Sequence, residues 1–131
     1  MSLKYNNPGN IRAIDHDDWD GQIGIDEHGF CIFDTMASGV RALGKVLLTY
    51  QDRHELHCVE DWIGRWAPPA ENDTDAYVAD VCARTHWRPE EYVDLHVPGN
   101  LIALTSAIAH HETGEFLDSV MLANGAAAAL A

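Results

Sequence analysis

The apolar residues of this chain change their spacing at Asp34, and that change limits the folds open to it. Before it, in WDGQIGIDEHGFCIFD (residues 19–34), Ile23 and Ile25 alternate with glycine and acid, and His28-Gly29 then turns the chain into Phe30-Cys31-Ile32-Phe33. Alternation puts successive side chains on opposite faces, so this stretch reads as one short β-hairpin near residues 22–33. After Asp34 the steps become three and four. Val40, Leu43, Leu47 and Tyr50 mark a helix between Ser38 and Arg53, and Val59, Trp62, Ile63 and Trp66 mark a shorter one that Pro68-Pro69 ends. Asn72 or Asp73 caps the next helix, whose inner face carries Tyr77, Val78, Val81 and Cys82. Pro89 starts a brief turn through Asp94. Pro98 or Asn100 then opens a helix running through Leu101, Leu104, Thr105, Ile108 and Glu112, which Gly114 stops. Residues Phe116 to Met121 add a turn or two, and the tail NGAAAALA has no amphipathic face, so it is expected to be frayed or loosely docked. The fold class is mainly α, with roughly five to seven helices and one hairpin. No repeat or linker divides residues 1–131, which read as a single domain with about 115–131 as a peripheral C-terminal segment.

Charge narrows the functions. Eight Lys and Arg stand against 21 Asp and Glu, a net −13 with histidine neutral. Such a surface repels nucleic acid and anionic membranes, and it also works against a free enzyme attacking an anionic bacterial wall. Three cysteines, Cys31, Cys58 and Cys82, form no CxxC pair and no even-numbered framework, which points to a reduced compartment without disulfides. The N-terminus has no apolar core of a signal peptide, and no segment approaches 18 continuous apolar residues. The chain is therefore expected to be made in the cytoplasm, soluble and without a secretion signal.

Glu112 is the residue most suited to chemistry. It extends the apolar row of Leu104 and Ile108 by a further step of four, toward the core. It also lies in the last turn of its helix, where the macrodipole is negative. Burial and dipole both favour a protonated carboxyl, which is what a glycosidic oxygen needs as proton donor. Tyr77 follows, on the inner face behind the rigid corner WAPPAENDT; its hydroxyl reads either as a core phenol or as a donor to a sugar or a catalytic carboxyl. On the hairpin, Asp26, Glu27 and Asp34 are candidates for a second carboxylate, against the plainer reading of solvated turn acids. Asn7, Asn10, Asn72 and Trp66 are the candidates for sugar binding. His110-His111-Glu112 lacks the HExxH spacing of a zinc site, and His54 and His57 have no completing ligands, so neither a metal nor any other cofactor is expected.

The runs NNPGNIR, W-x-G, GF-x-x-F, G-V-R-A-L and WAPPAENDTDAYVADV resemble a group of phage and prophage proteins described as virion structural or lysozyme-like, over roughly residues 5–114. E-N-D-T-D-A-Y-V-A-D-V is similar to a tyrosine-bearing segment of soluble lytic transglycosylases and goose-type lysozymes, with Tyr77 at the tyrosine. A-I-A-H-H-E-T-G (residues 107–114) is similar to the end of their catalytic helix, with Glu112 at the glutamate. In those enzymes the glutamate helix comes first, whereas here it follows the tyrosine. NNPGNIR in turn resembles the run after the catalytic helix in flagellar-type glucosaminidases, so the order fits a circular permutation. The resemblance implies a lysozyme-like fold acting on peptidoglycan glycan strands, as a lytic transglycosylase or a muramidase. The rival it implies is a non-enzymatic virion or prophage protein that keeps the fold for wall binding or assembly, with virion components as partners.

Overall fold

The computed structural model describes residues 5–13 and 18–131. It is mainly helical with one two-stranded antiparallel sheet. Strands β1 (Gln22–Ile25) and β2 (Cys31–Phe33) pair Gln22 with Phe33, Gly24 with Ile32 and Ile25 with Cys31, with a bulge between Gln22 and Gly24. Five helices follow: α1 (Met36–His54), α2 (Val59–Trp66), α3 (Thr74–Thr85), α4 (Pro98–Thr113) and α5 (Ser119–Leu130).

The hairpin faces the opposite way from a simple reading of its isoleucines. Ile23 and Ile25 are 68% and 49% exposed, while Cys31 and Phe33 of β2 are buried. The inner face of a sheet this small is filled by one strand, and β1 is left as its outer edge. Along the other side of β2 runs the N-terminal segment: the Cys31 amide donates to the Ile11 carbonyl (2.9 Å), the Ala13 amide donates to the Gly29 carbonyl (2.8 Å), and Arg12 bridges Phe30.

Helix α1 packs chiefly against α5, and also meets α4 and β2. Thr35 caps it by accepting from the Ser38 amide (3.1 Å), and its buried residues include Val40, Ala42, Leu43, Leu47 and Leu48. Gly39 lets the N-terminal loop lie directly on it, since a Cβ there would run into the Asn6 carbonyl oxygen. Around α1 the core is completed by Phe33, Trp62, Ile63, Leu95, Leu101, Leu104 and Ile108. Pro98 stands in the first turn of α4, where its missing N–H costs no helical bond.

The C-terminal tail corrects the expectation of fraying. Residues of NGAAAALA lie within α5, capped by Asp118, whose carboxylate accepts from the Val120 and Met121 amides (2.8 and 3.2 Å). Leu122, Gly125, Ala126 and Ala129 are buried against the rest of the fold. A Cβ on Gly125 would come within 2.5 Å of Val40, so the absent side chain is what brings α5 onto α1. Alanine has the highest helix propensity, and small side chains allow close backbone approach. Among the described residues, no helix is long and apolar enough to cross a membrane.

Candidate functional site

Glu112 is partly buried in the last turn of α4, and both of its carboxylate oxygens are engaged. Oε1 accepts from Asn10 Nδ2 at 2.8 Å, and Oε2 accepts from the Tyr77 hydroxyl at 2.7 Å. The three residues come from the N-terminal loop, α3 and α4. Each is delivered by a local device.

Asn10 ends the turn of NNPGN, its amide donating to the Asn7 carbonyl (3.2 Å) and its backbone in the left-handed region at φ 51. Asparagine tolerates that region better than most residues. Tyr77 sits one turn into α3, whose start is fixed when Asp73 accepts from the Ala76 amide (3.1 Å) and the Thr74 hydroxyl donates to the Ala67 carbonyl (2.5 Å). The Tyr77 side chain is 2% exposed. Burial first, then the negative charge of Glu112 and the bond to it, push this phenol far above its ordinary range, against a weaker opposing contribution from the Trp66 side chain. Tyr77 is therefore a neutral phenol at any working pH and a permanent donor to Glu112. Charge-assisted bonds of this length are among the stronger ones in proteins.

A second layer lies on the other face of Tyr77. The His111 ring stacks on the Tyr77 ring, centroids 3.7 Å apart and planes 27° from parallel. His111 Nδ1 is 2.8 Å from Asp80 Oδ2, and Asp80 Oδ1 accepts from Arg84 Nε at 3.0 Å. Burial works against the charge of Asp80, but the His111 bond and the Arg84 charge outweigh it and hold the carboxyl below the usual aspartate range. Sequence reasoning missed Asp80 and His111. The available signal was the spacing: Tyr77 and Asp80 are three apart on α3, so they share a face, and His111 adjoins Glu112.

The other residues singled out from sequence have different employment. Asn7 is corrected from a sugar-binding candidate to a structural clamp: it is 1% exposed, its Nδ2 donates to the carbonyls of Ile11 (3.0 Å) and Cys31 (2.9 Å), and its Oδ1 accepts from the Ile11 amide (2.9 Å). Both amide hydrogens are spent on the backbone and the side chain is closed to solvent. Asp26 closes the hairpin turn, Oδ1 accepting from the amides of His28 (2.9 Å) and Phe30 (2.8 Å). Partial burial opposes its charge, and those amides prevail, holding it below the usual range. Glu27, its side chain 87% exposed, points to His28 at 3.6 Å. Asp34 bonds the Ser38 hydroxyl at the start of α1, which lowers its pKa. None of these hairpin acids contacts Glu112 among the described residues. Asn72 is exposed and braces the corner by donating to the Pro68 carbonyl (3.3 Å). Trp66 joins the site through Tyr77 and packs beneath Gly9.

A cleft of about 780 Å³ opens elsewhere, between α2, α3 and Pro89-Glu90, lined in part by Asp61, Arg65, Asp75 and Val78; neither Glu112 nor Tyr77 lines it. No group of three or more His, Cys, Asp or Glu is gathered for a metal ion among the described residues.

No protein-family profile matches the chain. Its sequence is, however, similar to that of a phage protein. The relative is Protein P5 of Pseudoalteromonas phage PM2, 37% identical over 86 residues, which are 63% of this chain and 54% of that protein. The match thus spans about half of the relative's length.

Proposed function

We propose that this chain is a phage-derived protein that cleaves peptidoglycan glycan strands, with Glu112 as the acid and base and Tyr77 as the group that orients it. The observation that carries the reading is the convergence of Asn10, Tyr77 and Glu112 from three distant segments onto one partly exposed carboxylate. A carboxyl held from both sides stays in one geometry, and acid–base catalysis depends on that geometry. Each oxygen still has a second lone-pair direction with which to meet a sugar.

The resemblance of residues 107–114 and of the Tyr77 segment to lytic transglycosylases supports the same assignment. So does the position of NNPGNIR, which lies against the end of α4 through Asn10 although it stands at the other end of the sequence. Together these features favour a lysozyme-like fold in permuted order.

Asp26 is held in its own turn, Asp34 is held by Ser38 and Glu27 turns to His28, which favours the route needing a single carboxyl. Glu112 gives its proton to the oxygen leaving N-acetylmuramic acid C1. It then takes the proton of the muramyl 6-hydroxyl as that oxygen attacks C1, forming the 1,6-anhydro ring without water. Purified peptidoglycan should be cleaved by the wild type, and Glu112→Gln should slow cleavage by about a hundredfold or more. Mass spectrometry of the products should show anhydro ends; reducing ends would convert the reading to a muramidase, and equal rates would remove Glu112 from the mechanism.

The net charge of −13 and the phage relative favour a second reading, a virion or prophage part that binds the wall without cutting it. Wild type that sediments with peptidoglycan but releases no fragments would support it. Under either reading the protein reaches the wall as part of a virion or by phage delivery.

A further inference from the structure

We infer that His111, fixed by Asp80, is a positioning residue that holds the Tyr77 hydroxyl on Glu112. The inference rests on the reading of Glu112 and Tyr77 as the working pair, and it is argued from a continuous path of contacts. Arg84 Nε donates to Asp80 Oδ1 (3.0 Å), Asp80 Oδ2 meets His111 Nδ1 (2.8 Å), His111 stacks on Tyr77 (3.7 Å between centroids), and the Tyr77 hydroxyl donates to Glu112 Oε2 (2.7 Å).

The direction of the path follows from donor chemistry. Asp80 is an ionised carboxylate and can only accept, so the proton of the His111–Asp80 bond sits on Nδ1. That fixes the tautomer and leaves the ring no freedom to flip. A ring so held presents a flat face to Tyr77; the phenol oxygen lies on the long axis of its ring, so it is displaced only when the ring tilts, and a ring stacked on its face resists that tilt. The bond to Glu112 holds the hydroxyl end, and His111 restrains the ring face. Asp80 and His111 have partly exposed side chains, at 28% and 33%. A merely structural pair at such a surface position contributes little to stability, whereas a pair acting on Tyr77 is felt at Glu112.

The test uses His111→Ala and Asp80→Ala in protein carrying tyrosine labelled with ¹³C at Cζ, with Tyr77→Phe assigning the Tyr77 resonance. In the wild type that resonance stays at its phenol position on raising the pH. In both variants it should move toward that of a solvated tyrosine and begin to titrate, because the ring loosens and water enters. Cleavage should show a kcat reduced on the order of tenfold to a hundredfold with little change in KM, as for a misplaced catalytic group. A folded Asp80→Ala protein whose Tyr77 resonance and kcat match the wild type would overturn the inference. If the wild type cleaves no peptidoglycan, the cleavage reading fails, and the Tyr77 resonance alone still decides whether His111 and Asp80 position the hydroxyl.

Discussion

At the scale of single residues, Asp94 shows how one carboxylate organises a loop. Its Oδ1 accepts from Gln51 Nε2 and from the His96 amide, each at 2.9 Å, while Gln51 Oε1 accepts from the Leu95 amide at 2.7 Å. The His96 amide first, then Gln51, hold its pKa below the ordinary 3.8. A depressed folded pKa means that the ionised form stabilises the fold. That stability is complete above the unfolded value and is lost as pH falls through the folded one. The urea midpoint should therefore fall as pH drops below about 4, and Asp94→Asn should flatten that fall; a variant curve parallel to the wild type at every pH would show that Asp94 contributes nothing. Residue roles were unevenly legible in the sequence. Glu112 stood out because a charged side chain continued an apolar row, which is visible in spacing alone. Asn7 and Asn10 did not separate, since both belong to one turn-rich run, and only three-dimensional closure decides which amide faces the backbone and which faces a carboxylate.

The helices were legible as elements wherever an apolar stripe met a polar one, and Pro68-Pro69, Asp73, Pro98 and Gly114 punctuate them in the structure as their local chemistry dictates. α5 escaped because stripe-reading weighs large apolar side chains, whereas this helix docks through small ones. Its packing is shape against shape: Gly125 lies on Val40, with the Ala37 carbonyl 2.9 Å from where a Cβ would stand. Gly125→Ala should consequently destabilise the protein by about 1–3 kcal/mol, as overpacking does, despite the better helix propensity of alanine. Asn124→Ala, at an exposed neighbouring position, serves as the control. A Gly125→Ala melting curve that matches or exceeds that of the wild type would show that α5 has room to move away from α1. On β1 the sequence alternation was read correctly as a strand, but alternation alone does not say which face turns inward when one strand already fills the core.

For the molecule as a whole, under the wall-directed reading proposed above, the net charge of −13 would set how it meets an anionic wall. Like charges repel over a distance that salt shortens, from about 30 Å at 0.01 M to about 8 Å at physiological strength. Sedimentation with purified peptidoglycan should accordingly increase from low to physiological salt, and binding that weakens with salt would point to a cationic contact surface instead. The bond from Asn10 to Glu112 closes the molecule in another sense, because its partners are 102 positions apart. A growing chain is extended at about 5–20 residues per second, so about 5–20 s separate the synthesis of one partner from that of the other. For about two-thirds of that interval the amide waits alone, and the phenol, 35 positions before the carboxylate, joins it for the remainder. The site thus comes into being only when α4 emerges, and neither the amide nor the phenol has its acceptor before then.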